Sequence, residues 1–394
     1  MGKSSNSKNS NKGQFTSVYR NKFNLAESYL ADKYEFRSNT VSLTIEYREK
    51  GSSHFEGLNE NTLYRELQNR NICLSLGNLT ALLRSDFVEQ YDPLIDYFES
   101  LPPWNGKPNI EQLASFVKTI DPDEWENHLR KHLVRAVKCA IVPFYYNKQA
   151  LILVDPRQNS GKSTFCRFLC PPSLKDYIAE DITTDKDSRI LLAKNLIINL
   201  DELALLSKKD INSLKSFMSK DQVNERLPYD RKSTILQRRA TFVGSTNNTE
   251  FLSDETGSVR WLCFEVSSID WGYSRKVDMD QVWAEAYACY KSGCNPELTR
   301  EEIQESERRN RRFHVLSVEI ELIMKLFDFD YNKEKENFKT ATEVMIEIIN
   351  LSNGIRVNHI QVGKALKSLQ CPVGRDSLQR YGYFLTQKKI VNPF

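Results

Sequence analysis

The stretch "ALILVDPRQNSGKSTFCRFLC", residues 150–170, decides how the whole chain is read. Its first six residues form an apolar run ending in Asp155, the pattern of a buried strand. Its last eight, "STFCRFLC", have helical character, so strand, loop and helix follow one another. Between them Gly161, Lys162 and Ser163 fill the three most specific positions of a phosphate-binding loop, with Ser160 before and Thr164 after. In such a loop successive N–H groups wrap a β-phosphate and lead into a helix N-terminus that favours negative charge. The lysine is a point cation on the phosphates of ATP, and the next hydroxyl binds Mg²⁺. Pro156 stands where the motif has its first glycine. Proline still starts a turn with φ near −65°, at the loss of one N–H donor. The competing reading of the four letters "GKST" is a surface turn.

Three later stretches bear on that choice. "LIINLDEL" (196–203) is a strand pattern that delivers Asp201 and Glu202 at its C-terminal end, where an α/β sheet binds ligands. Asp201 is placed to hold the metal, and Glu202 to polarise an attacking water. "FVGSTNN" (242–248) is another apolar run ending in polar residues, and it places Asn247 to orient a γ-phosphate or the lytic water. Arg260 opens the apolar run "RWLCFEV". It reads either as a structural ion-pair partner or as an arginine finger reaching a neighbouring subunit's γ-phosphate.

Bulk properties narrow the class. With 55 Lys and Arg against 52 Asp and Glu, attraction to nucleic acid must come from local patches. No run approaches the roughly 18 apolar residues of a membrane span. Residues 1–22 carry five basic and no acidic side chains, which reads as a disordered tail able to touch nucleic acid. The eight cysteines lack the C-x-x-C spacing of a zinc site. Cys166 and Cys170 lie one helical turn apart, but buried free thiols in a reducing cytoplasm are the expectation.

Composition and pattern divide the chain into the tail, a mainly helical accessory region over 23–120, an α/β block over 121–295 and a small unit over 296–394. Helices are expected within 91–117 and at 124–142, and a short strand at 41–47. Further strands are expected at 195–202, 240–247 and 260–266. The run "EEIQESERRNRRF" reads as a charged helical linker. Beyond it, helices near 340–350 and 358–370 and a strand-like end suit a winged-helix fold on duplex DNA. Lys364, Lys367, Arg375, Arg380, Lys388 and Lys389 make that end basic.

With these motifs in order, residues 90–290 resemble the virulence-associated protein E family, whose core looks like a superfamily 3 helicase. The resemblance rests on "YDPLIDYFESLPPWNG", "GKST", "NLDEL", "ERLPYDRKSTILQRRATFVGSTN" and the arginine strand. It implies an AAA+-like P-loop ATPase that serves replication of phages, plasmids or chromosomal islands. It also implies a ring, a hexamer by expectation, with a hairpin in its channel where Arg231 and Lys232 track single-stranded or forked DNA. Arg238 and Arg239 sit close enough to the third strand to face nucleotide instead. The expected activity is an ATP-dependent DNA helicase or replication-initiation ATPase. The alternatives are a nucleotide-gated initiator or defence ATPase that unwinds nothing, and a small-molecule kinase.

Overall fold

The computed structural model describes residues 21–180, 182–183, 186–201, 203, 214–225, 233–252, 258–352 and 355–388. Residues 1–20, Glu202, Arg231, Lys232 and Lys389 lie outside them, so the tail and the hairpin tip have no structural account. The chain is a mixed α/β protein, and its described residues form a four-stranded, a six-stranded and a second four-stranded sheet and one two-stranded pair. Among the described residues no helix is long and apolar enough to cross a membrane.

The N-terminal region holds a sheet in the order β3-β2-β1-β4, made by β1 (Tyr34–Asn39), β2 (Thr44–Glu49), β3 (Glu56–Gly57) and β4 (Glu89–Tyr91). Helices Lys22–Lys33, Glu60–Asn69 and Leu76–Leu83 contribute to its core through Leu30, Leu63, Leu67 and Leu79. The mainly helical expectation therefore understates the sheet. Charges pair across the two strands: Glu35 sits opposite Arg48 and Arg37 opposite Glu46, with ion pairs at 2.5 and 2.6 Å. Both strands alternate, with Tyr34 and Phe36 in β1 and Ile45 and Tyr47 in β2 turned to the core, but only the second was expected as a strand. Asn39 links this sheet to the next unit, donating to the Tyr177 hydroxyl at 2.7 Å.

The central sheet contains β5 (Val117–Thr119), β6 (Ala150–Val154), β7 (Ile178–Glu180) and β8 (Ile197–Leu200). The strands β9 (Gln222–Glu225) and β10 (Thr234–Gln237) form a separate antiparallel pair. The chain then returns to the sheet as β11 (Thr241–Thr246) and β12 (Trp261–Ile269). The order is β5-β12-β6-β11-β8-β7, with every neighbouring pair parallel except β5 with β12. Both faces are covered, as a parallel sheet requires. Leu151, Leu153, Ile197 and Val243 enter one core, while Ile152, Val154, Ile198 and Phe242 enter the other. Because β6 leads to β7 on one side and β11 leads to β12 on the other, the chain reverses direction about β6. Ligands of such sheets bind at this kind of switch point, outside the carboxyl ends of the strands.

The central core also takes Leu94, Phe98, Ile110 and Leu113 from helices Pro93–Ser100 and Asn109–Ser115, which the sequence reading grouped with the accessory region. The expected linker is likewise docked. Helix Arg300–Asn310 starts with a capping box between Thr299 and Glu302. Its last turn buries Arg309, which donates to the Cys263 carbonyl at 3.0 Å, and Asn310, which donates to Trp261 O at 2.7 Å. Of the charges that suggested a linker, Arg309 is a buried partner of β12.

The C-terminal unit runs helix Val318–Leu326, β13 (Phe327–Phe329), β14 (Phe338–Lys339), helix Ala341–Leu351, helix His359–Ser368, β15 (Val373–Arg375) and β16 (Tyr381–Gln387). The strands pair antiparallel on β16. Its core is Ile323, Val344, Ile348, Val362, Leu366 and Leu385.

Candidate functional site

The loop after β6 is built around Asp155. That buried carboxylate accepts from the Arg157 backbone N–H at 3.0 Å, across Pro156. This is an Asx turn, in which a side-chain oxygen replaces the backbone carbonyl of an ordinary turn and the residue at the corner needs no N–H. Pro156 occupies that corner, so the loop lacks nothing there that a glycine would have supplied to the turn. The Arg157 guanidinium forks onto both Asp155 oxygens at 3.0 and 2.9 Å and also donates to Ser267 O, tying the loop to β12. Burial works against the Asp155 charge, yet the hydrogen bonds from Arg157 and Ser160 outweigh it and hold its pKa below the usual carboxylate range.

The loop ends at Gly161, whose φ of +91° is a left-handed conformation that suits glycine. Lys162 follows as a buried cation. Its ammonium donates to Asp155 O, Arg157 O and Ser160 Oγ, each at 3.0 Å. Burial lowers its pKa, partly offset by Asp155 and Asp201. A second negative partner at this point would be met by a desolvated charge, where Coulomb attraction is strong.

Helix Lys162–Phe168 and the ends of β8 and β11 then converge on one carboxylate oxygen. Ser163 Oγ donates to Asp201 Oδ1 at 2.6 Å, and Ser245 Oγ donates to the same oxygen at 2.8 Å. The two hydroxyls are 2.9 Å apart. Arg167 reaches the other oxygen, Nη2 to Asp201 Oδ2 at 3.1 Å, and forks onto Glu180. Two hydroxyls and a carboxylate are hard oxygen donors, the set that suits Mg²⁺ rather than a soft metal. Lys162, Ser163, Arg167, Asp201 and Ser245 line one cleft of 420 Å³ together with Thr164, Asn247 and Trp271.

The structure thus brings together Ser160, Gly161, Lys162, Ser163, Thr164, Asp201 and Asn247. It places Arg260 elsewhere. Trp261, the next residue, pairs with Ala150 at the start of β6, so Arg260 lies at the opposite end of the sheet from the loop. That is roughly 15 Å along the strands. There its guanidinium donates to Ser219 Oγ at 3.0 Å. Arg238 and Arg239 do not face the cleft either. Arg238 is fully buried and donates to the carbonyls of Phe217, Met218, Lys220, Ala240 and Asn147. Arg239 pairs with Asp92 at 2.6 Å. Cys166 and Cys170 are buried, and burial pushes both thiols up to about 12. Each donates to a carbonyl, of Gly244 and Leu174 respectively.

Sequence reading missed Arg167, Ser245 and Trp271. Arg167 was available from spacing, since it lies four residues after Ser163 on one helical face. Trp271 follows β12, whose pairing with β6 puts its end beside the loop, and pairing of that kind is not visible in sequence.

A family model for the virulence-associated protein E-like domain matches residues 98–315. Among solved structures, the apo structure of the NrS-1 C-terminal region (305–718) superposes with a TM-score of 0.51 at 12% identity, covering 93% of this chain and 99% of that one. The A-form apo structure of the same region gives a TM-score of 0.48 at 12% identity, covering 93% and 100%. At that identity the likeness concerns the fold alone. No curated protein matches the chain.

Proposed function

The chain belongs to the virulence-associated protein E-like family, and on that premise we propose that it is a P-loop ATPase of the superfamily 3 helicase type, acting on DNA in the replication of a phage or other mobile element. One observation carries the reading: Ser163 and Ser245 meet on Asp201 Oδ1 beside the buried ammonium of Lys162. Three elements separated in sequence supply these groups, at the switch point of a parallel sheet. The strand order β12-β6-β11-β8-β7 supports an AAA+-like core, and the two helices followed by the β15–β16 pair in the C-terminal unit support a winged helix.

In this reading the backbone of Ser160 and Gly161 cradles the phosphates, and Lys162 exchanges its three oxygen partners for theirs. Ser163 and Asp201 would hold the magnesium ion, with Thr164 also lining the cleft. When bound, that ion supplies neutralisation of charge on the β- and γ-phosphates. Glu202, known here from sequence alone, takes a proton from water, and Asn247 orients the water or the γ-phosphate. Arg260, at the far end of its own sheet, would act on a neighbour's γ-phosphate, which calls for self-association into a ring. The β9–β10 pair brackets residues 226–232, so Arg231 and Lys232 are assigned to the DNA backbone from sequence.

ATP turnover with and without single-stranded DNA tests the reading. Lys162→Ala and Glu202→Gln should each abolish it while the protein stays folded, and unchanged turnover in either removes that residue's assigned role. Displacement of a strand from a forked substrate then separates a helicase from an initiator that hydrolyses ATP without unwinding. Mixing Arg260→Ala with Glu202→Gln subunits should restore some turnover if Arg260 acts across a subunit boundary.

A further inference from the structure

The cleft has two chemically different ends. Asp201, Ser245 and Asn247 reach it from β8 and β11, on one side of β6. Trp271 reaches it from the end of β12, on the other side. The loop of residues 158–161 runs between them. One end therefore offers hard oxygens, and the other a flat apolar ring.

Trp271 is placed by its surroundings rather than left as a loose surface residue. Asp270 N donates to the Phe116 carbonyl at 2.8 Å, and Gly272 N donates to Asp270 Oδ1 at 2.8 Å. This is a second Asx turn, with Trp271 at its corner as Pro156 is in the first. The Trp271 carbonyl accepts from Ser274 N at 3.3 Å and from Ser274 Oγ at 3.1 Å. Its ring is nearly parallel to that of Tyr273, at 21° and 6.5 Å between centroids. The ring lies over the loop, where a Cβ on Gly161 would meet its Cζ2 at 2.9 Å. Even so, Trp271 remains 52% exposed at the cleft. A large aromatic held in place but left half-open to a polar cleft is an available stacking face.

Resting on the nucleotide reading above, we propose that Trp271 stacks on the base of the bound nucleotide and so fixes which end of the ligand enters first. The phosphates lie toward Lys162 and Asp201, and the base lies toward β12. Stacking needs only a π-face, so the larger purine surface is favoured over pyrimidine with no hydrogen-bond readout of the base.

The test compares binding of MgATP and of magnesium tripolyphosphate, which has the phosphate chain and no base, by wild type, Trp271→Ala and Trp271→Phe. The alanine variant should bind MgATP roughly tenfold more weakly and tripolyphosphate unchanged. The phenylalanine variant should retain most of the affinity for MgATP. Equal weakening of both ligands by Trp271→Ala would mean that the ring shapes the loop, which overturns the proposal. Unchanged MgATP binding, or a wild type that binds MgATP no more tightly than tripolyphosphate, overturns it too while leaving the phosphate site standing. A folded wild type that binds neither ligand removes the nucleotide reading itself.

Discussion

Arg167 closes on Asp201 from the next turn of the helix that carries Ser163, Nη2 to Oδ2 at 3.1 Å, while Ser163 and Ser245 hold the other carboxylate oxygen. The carboxylate assigned to magnesium is therefore already engaged by a cation. A divalent ion must compete with that guanidinium, which is also secured by Glu180. Arg167 is 45% exposed, so the competition is screened and modest. Arg167→Gln should lower the half-saturating magnesium concentration for nucleotide binding about two- to fivefold. A magnesium titration at fixed nucleotide reads this directly, and a rise would mean that Arg167 contacts the ligand instead.

Pro156 should prove nearly neutral for binding. The turn is made by the Asp155 side chain and the Arg157 N–H, and neither depends on residue 156. Pro156→Gly should leave nucleotide affinity within about threefold and reduce stability by about 0.4–1 kcal/mol, through greater freedom of the unfolded chain. Much tighter binding by the glycine variant would show that the missing N–H weakens the site.

Arg238 should matter for stability rather than catalysis. Its guanidinium serves five carbonyls from three stretches of chain, and burial lowers its pKa to about 10. Arg238→Met orphans those carbonyls and should cost about 3–5 kcal/mol in denaturant unfolding. A loss of turnover with unchanged stability would return this residue to the nucleotide.

Acid should unfold the protein through helix Pro122–Ile141. Burial, followed by the nearby Arg135, lowers the His132 pKa from 6.5 to about 3, and burial with Arg309 and Arg135 lowers His128 to about 3. The unfolded chain takes up these protons near pH 6.5 while the folded chain does not. Their contribution is thus fully present above pH 6.5 and is lost as pH falls toward 3. Each histidine gives a slope of about 1.4 kcal/mol per pH unit within that window. His132→Leu should flatten the pH dependence of the urea midpoint between pH 6 and 4 by about one proton; an unaltered slope would contradict the assignment.

The parts of the fold that were legible in sequence are those fixed by local pattern. The apolar runs before Asp155, Asp201 and Asn247 are fully buried strands with both faces covered, and that continuous apolarity is what a sequence displays. The helices expected at 124–142 and near 340–350 are Pro122–Ile141 and Ala341–Leu351, within a few residues of expectation. What stayed hidden depended on partners distant along the chain. Glu35 and Arg48 look solvated until β1 and β2 pair, and Arg309 looks like part of a charged linker until it meets the Cys263 carbonyl. Arg238 looked like a nucleotide ligand because its neighbours in sequence lead into β11. Its own partners are carbonyls near residues 147 and 217–220. Of the residues that line the cleft, Lys162, Ser163, Asp201 and Asn247 stood in sequence motifs, whereas Trp271 needed the pairing of β12 with β6.

The central claim is that the cleft between the loop and Asp201 binds a nucleotide with its magnesium ion. Equilibrium binding of MgATP to wild type, Lys162→Met and Asp201→Asn tests it most directly. Removing the buried ammonium should weaken binding about ten- to a hundredfold, and the Asp201 change should abolish the dependence of affinity on magnesium. Wild-type affinity with intact magnesium dependence in both folded variants would contradict the account.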